Sequence, residues 1–177
     1  MVVGLATLAA GCGGGGDSGS SSGTTSAADW ASGYCGAAST WVTTLDKARA
    51  SVKPNDPAAT ASDAAQQVTA ETNTFTEAIK GLGAPDTPDG VTSAATAKTL
   101  ANTLVGRMAR ASSAINTNNP DVTPALQRKT VRDQVTASLA DVAKATAKLE
   151  QDDAELGTAM NSSSDCAALN TALSKAT

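Results

Sequence analysis

Four long stretches of the chain repeat their apolar residues at alternating steps of three and four, the spacing of one face of an α-helix. The first runs from Asp29 to Val52 and carries Trp30, Tyr34, Ala37, Trp41, Leu45, Ala48 and Val52. The second, Pro57 to Lys80, carries Ala61, Ala65, Val68, Thr72, Phe75 and Ile79. The third, Gly90 to Thr117, carries Ala97, Ala101, Leu104, Met108, Ala111 and Ile115. The fourth, Pro124 to Leu156, carries Val131, Val135, Leu139, Val142, Leu149 and Leu156. A shorter fifth segment, Ser163 to Lys175, sets Cys166, Leu169 and Leu173 on one side.

The punctuation between these segments is concentrated in KPNDP (53–57), GLGAPDTPDG (81–90) and NTNNPD (116–121). Pro, Gly, Asn and Asp break helices and initiate turns, so their clustering marks the boundaries. Pro57 and Pro124 suit a first helical turn, where the missing N–H would have no partner anyway, and Thr123 reads as an N-cap. Stripes near a 3.5-residue repeat favour shallow crossing angles, and short links favour antiparallel neighbours. The pattern predicts an all-α fold: an up-down-up-down four-helix bundle over residues 29–177, with a short C-terminal helix.

Composition sharpens this picture. The hydrophobic fraction is 41%, but alanine supplies much of it, and there are only one Phe, one Tyr and two Trp. Such a core suits closely approaching helices better than a sheet sandwich, because alanine is the best helix former and fills little volume. The net charge is −4, and the 13 basic residues are scattered along the sequence. That reading leaves no basic stripe for nucleic acid and no polybasic patch for anionic lipid. Histidine is absent, which removes the commonest general base and the commonest metal ligand.

The N-terminus gives location. An apolar run from Val2 to Ala10 ends in small residues before a cysteine, in the order Leu8-Ala9-Ala10-Gly11-Cys12. This is the form of a signal-peptide h-region feeding a lipobox, so residues 1–11 read as a signal peptide and Cys12 as the lipidation site. The basic n-region is missing, which is expected of a start codon placed upstream. Residues 13–28 form a Gly/Ser/Thr tract without an apolar residue larger than alanine. With Cys12 it reads as a tether over residues 12–28, with a root-mean-square reach of roughly 20–25 Å. The chain is thus expected to be a lipoprotein on the extracytoplasmic face of the cell membrane, carrying a fatty acyl group such as palmitate.

The Tyr34-Cys35 pair, the link Leu82-Gly83-Ala84-Pro85-Asp86-Thr87-Pro88-Asp89-Gly90 and the stretch Ser164-Asp165-Cys166-Ala167-Ala168-Leu169 carry a resemblance. Over most of residues 30–173 the chain resembles a family of uncharacterised small secreted proteins and lipoproteins of actinobacteria. The resemblance implies an extracytoplasmic helical domain with an early and a late cysteine, and it brings no active site with it.

Catalytic and metal chemistry finds little support. Glu150, Asp152, Asp153 and Glu155 form the densest acidic group, read as a solvated helix face rather than a calcium site. Asp86 and Asp89 flank Pro88 and read as turn and N-cap residues. Trp30, Tyr34 and Trp41 could line an aromatic ligand pocket, but at helical spacing they read as core. No G-x-S-x-G or S-x-x-K motif is present, and the glycines at 13–16 lack the Lys and Ser/Thr of a phosphate-binding loop. Expected are no catalytic residues, no metal and no cofactor. A non-catalytic interaction or structural module of the envelope ranks first, with an envelope protein or lipid as partner. A carrier of lipid or another apolar ligand ranks second and an enzyme last.

Once Cys12 carries lipid, Cys35 and Cys166 are the remaining thiols, in a compartment that permits disulfides. In the expected bundle the first helix starts and the fourth ends at the same pole. A Cys35–Cys166 disulfide would staple the C-terminal segment across that end.

Overall fold

The computed structural model describes residues 24–51, 58–115 and 123–176, and every regular element among them is helical. In chain order these are α1 (Ala27–Ser51), α2 (Ala58–Gly81), α3 (Gly90–Ile115), α4 (Pro124–Asp152), α5 (Ala154–Ser162) and α6 (Ser164–Ala176). The signal segment 1–11, Cys12, most of the tether, Val52, Pro57, Asn116 and Thr117 lie outside the described residues.

Local chemistry explains the starts. Thr123 caps α4 by accepting from the Leu126 N–H at 3.3 Å, and Pro124 occupies the first helical turn. Helix α1 begins earlier than its apolar stripe, because Ser26 Oγ accepts from the Asp29 N–H at 3.1 Å and donates to Asp29 Oδ2 at 2.7 Å. Two polar residues three apart thus close the first turn, a variant of the capping box.

Helices α1 and α2 pack antiparallel, as do α2 with α3 and α3 with α4. Trp30 near the start of α1 reaches Gly83 just past the end of α2, and Arg107 of α3 pairs with Asp141 of α4 at 2.6 Å. Helix α6 runs beside α1 in the same direction, from the Cys35–Cys166 contact to Arg49, whose guanidinium donates to the Ala176 carbonyl at 2.7 Å. The C-terminal helix is therefore a wall of the core: α1 meets α6 far more extensively than it meets α4.

The predicted stripes form the core. Trp30, Tyr34, Trp41, Leu45, Phe75, Ile79, Leu104, Val142, Leu149, Leu156 and Leu169 are all at most 2% exposed. Burying side chains of this size is worth about 1.5–3 kcal/mol each, so the few aromatics dominate an otherwise alanine-rich interior. Trp30 stacks on Tyr34 with ring centroids 5.5 Å apart, and Trp41 tilts against Phe75 at 6.4 Å.

Two boundaries differ from the sequence reading. The fourth segment does not run unbroken to Leu156: α4 stops at Asp152, and Asp153 turns the chain into α5. The fold also starts before Asp29, within what composition marks as tether. Thr25 pairs with the 82–86 link through a parallel bridge to Pro85, with Thr25 N donating to the Ala84 carbonyl and Asp86 N to the Thr25 carbonyl. Thr25 Oγ1 adds a bond to the Leu82 carbonyl at 2.7 Å.

Candidate functional site

The antiparallel order brings the start of α1, the end of α2, the start of α3 and the end of α4 to one pole, together with α5 and the start of α6. The described residues begin there at Thr24, so this is the pole on the side of the expected tether, the tether-side pole. Cys35 lies in the third turn of α1, and Cys166 in the first turn of α6. They form a disulfide with Cα atoms 4.8 Å apart. Beside it, Ser32 donates to Asp165, a second tie between α1 and α6.

Asp153 organises the same pole, and here the sequence reading needs correction. Of the acidic group read as a solvated face, Asp152 and Glu155 are exposed, but Asp153 is 1% exposed. Its Oδ1 accepts from the Leu156 N–H at 3.0 Å, capping α5. Its Oδ2 accepts from Thr87 and Ser93. A buried carboxylate must be hydrogen-bonded to be tolerated, and these partners come from the 82–89 link and α3, more than fifty residues away. Asp152 instead pairs with Lys148 on the surface. Asp86 enters through its backbone N–H, and Asp89 supplies a carbonyl to Ser93 N; both side chains are exposed.

The aromatic polar groups are satisfied within the protein. Trp41 Nε1 donates to Thr72 Oγ1 at 2.9 Å, and that hydroxyl donates to the Val68 carbonyl. Thr146 donates to the Val142 carbonyl, so Tyr34 is the donor in the 3.0 Å contact between the two hydroxyls. Burial pushes the Tyr34 phenol up to about 12; the Thr146 hydrogen bond opposes this and the nearby Glu150 charge adds to it.

Away from this pole, a half-open groove of about 310 Å³ lies between α2 and α3, lined by Ser62, Gln66, Thr69, Asn73, Ser112 and Ile115 among others. Among the described residues no group of three His, Cys, Asp or Glu is placed to hold a metal ion. None of the described helices is long and apolar enough to cross a membrane.

The opposite pole gathers cations that are far apart in sequence. The ends of α1, α3 and α6 and the start of α4 bring Lys47, Arg49, Arg110, Arg128, Lys129, Arg132 and Lys175 to one end of the molecule. Residues scattered along the sequence thus share one end of the fold. The signal was available: in an up-down arrangement, charge has to be summed over alternate helix ends.

Among the described residues the geometry defines an all-helical, disulfide-stapled domain whose few aromatics lie in the core and whose two ends carry net charge of opposite sign. Compared with protein-family models, curated proteins and solved structures, the chain matches none of them.

Proposed function

We propose that this chain is an extracytoplasmic lipoprotein, held to the membrane by a lipid on Cys12, that displays a non-catalytic interaction module. The observation that carries this reading is the Cys35–Cys166 disulfide. It fits an oxidising compartment, and it occupies both cysteines outside the lipobox, leaving Cys12 alone for alkylation. The fold then reads as an up-down-up-down four-helix bundle of α1–α4, closed between α1 and α4 by α5 and α6. Kinship with the small actinobacterial secreted proteins, on Cys35, the 82–90 link and Cys166, belongs to the same proposal.

An interaction module is favoured over an apolar carrier because the aromatics that could form a ligand cage are spent on one another and on Thr72, Thr146 and Gly83. Metabolic labelling with a radioactive fatty acid tests the anchor. Wild type is expected to take up label and partition into detergent, and Cys12→Ala to do neither. Equal labelling of the two would overturn the proposal.

A further inference from the structure

The charge of this protein is distributed along its long axis. On the tether-side pole lie Asp29, Asp86, Asp89, Asp152, Glu155 and Asp165, with Glu77, Glu150 and buried Asp153 directly behind them. Lys80, Lys98, Lys144 and Lys148 oppose these nine carboxylates, leaving a net −5 among the described residues. Among the described residues the far pole has the seven cations named above against Asp46, Asp63, Glu71 and Asp133, a net +3. Arg49 is taken up by Asp46 and the Ala176 carbonyl, and Lys129 by Asp133. Lys47, Arg110, Arg128, Arg132 and Lys175 have no carboxylate partner among the described residues.

A net charge of −4 does not govern what approaches the far pole. At 1.5 Å rise per residue, α4 alone separates the poles by about 40 Å. The Debye length at physiological ionic strength is about 8 Å. A ligand at the far pole therefore senses the local positive charge, with the acidic pole screened over several Debye lengths.

We propose that the pole remote from the tether is a docking surface for an envelope polymer rich in phosphodiester groups, held by Arg110, Arg128, Arg132 and Lys47. Three of the unpaired cations are arginines, whose planar fork matches phosphate oxygens in a bidentate fashion. The protein's own membrane is the poorer partner. The thirteen residues from Cys12 to Thr24 span at most about 45 Å when fully extended, so laying the far pole on that membrane would take nearly the whole contour length. An anionic bilayer also repels the acidic pole that must stay nearest to it. The outward direction of the patch rests on the anchor proposed above; the binding itself does not.

The test uses the full chain as a lipid-free Cys12→Ser variant, so a failed anchor and a failed docking surface remain distinguishable. Fluorescence anisotropy with labelled inorganic polyphosphate is expected to show binding that weakens about tenfold or more between about 50 and 200 mM salt. The triple variant Arg110→Gln, Arg128→Gln, Arg132→Gln is expected to lose at least about tenfold in affinity, since each lost phosphate contact removes a charge-assisted bond. Its helical circular dichroism is expected to match wild type, because Arg110 and Arg132 are exposed and Arg128 is half-buried. The single change Lys47→Gln should weaken binding less, and Lys80→Gln with Lys148→Gln at the other pole should leave it unchanged. No binding at low salt would overturn the proposal, as would equal binding by the triple variant. So would equal affinity for polyglutamate, or tighter binding to phosphatidylglycerol vesicles than to polyphosphate.

Discussion

Cys35 in α1 and Cys166 in α6 stand 131 positions apart in the chain, yet their Cα atoms lie 4.8 Å apart and their sulfurs are bonded. The link holds the C-terminal helix along α1, where Leu169 and Leu173 fill the core. Closing a loop of this length restricts the unfolded chain, worth about 5 kcal/mol as an upper figure. That is comparable to the whole net stability of many domains. Non-reducing peptide mapping should recover Cys35 and Cys166 in one linked species, and reduction should lower the melting temperature by up to about 15–20 °C, at about 3–4 °C per kcal/mol for a domain of this size. Free thiols at both positions in protein from the native envelope would refute the pairing.

Tyr34 is the single tyrosine, so phenolate absorbance reports it alone. Its phenol, pushed up to about 12 by burial, stays neutral in the folded chain where an unfolded one ionises near 10. The folded pKa is raised, so the associated stability is complete below pH 10 and is lost as pH rises from 10 toward about 12. The loss amounts to about 3 kcal/mol, from 1.36 kcal/mol per pH unit. Alkaline titration of the native protein should give a midpoint near 12 that falls toward 10 in denaturant; a native midpoint at 10 would contradict the burial.

Asp153 and Asp152 are neighbours with different expected consequences. Removing the Asp153 carboxylate uncaps α5 and leaves Thr87 and Ser93 without their shared acceptor. Asp153→Ala should cost about 2–4 kcal/mol, the sum of a lost cap and unsatisfied buried groups. Asp152→Asn removes only a surface pair with Lys148 and should change stability by less than about 0.5 kcal/mol. Urea unfolding of the two variants decides; equal midpoints would mean that Asp153 is not the organiser of this pole.

What could be read in advance divides along the range of the interactions. The stripes of α1 to α4 and the Thr123-Pro124 start were legible because helical period and capping are local. The Ser26-x-x-Asp29 cap of α1 was equally local, and was masked by the linker-like composition around it. The α4–α5 break was half legible: the Asp153–Leu156 cap is local, but an aspartate among acidic neighbours reads equally as a solvated face, and its burial depends on the distant Thr87 and Ser93. Thr25 belongs to the fold through carbonyls of residues 82 and 84, and no local pattern announces that. Lys47 and Arg132 share a pole only because alternate helices reverse direction.

Two glycines should respond to alanine with opposite signs. A Cβ on Gly157 would stand 2.5 Å from the Glu150 carbonyl oxygen, backbone that cannot swing aside. The close approach of α5 to the end of α4 depends on that missing methyl group. Gly157→Ala should therefore force the two helices apart, at about 1–3 kcal/mol for overpacking of this kind. A Cβ on Gly36, inside α1, would meet nothing within 4 Å. There alanine relieves the entropy cost of a helical glycine, and Gly36→Ala should stabilise by about 0.5–1 kcal/mol. Chemical denaturation of both variants checks the pair. A neutral Gly157→Ala would mean that α5 does not seat against Glu150, and with it would fall the geometry that buries Asp153 between α4, α5 and the 82–89 link.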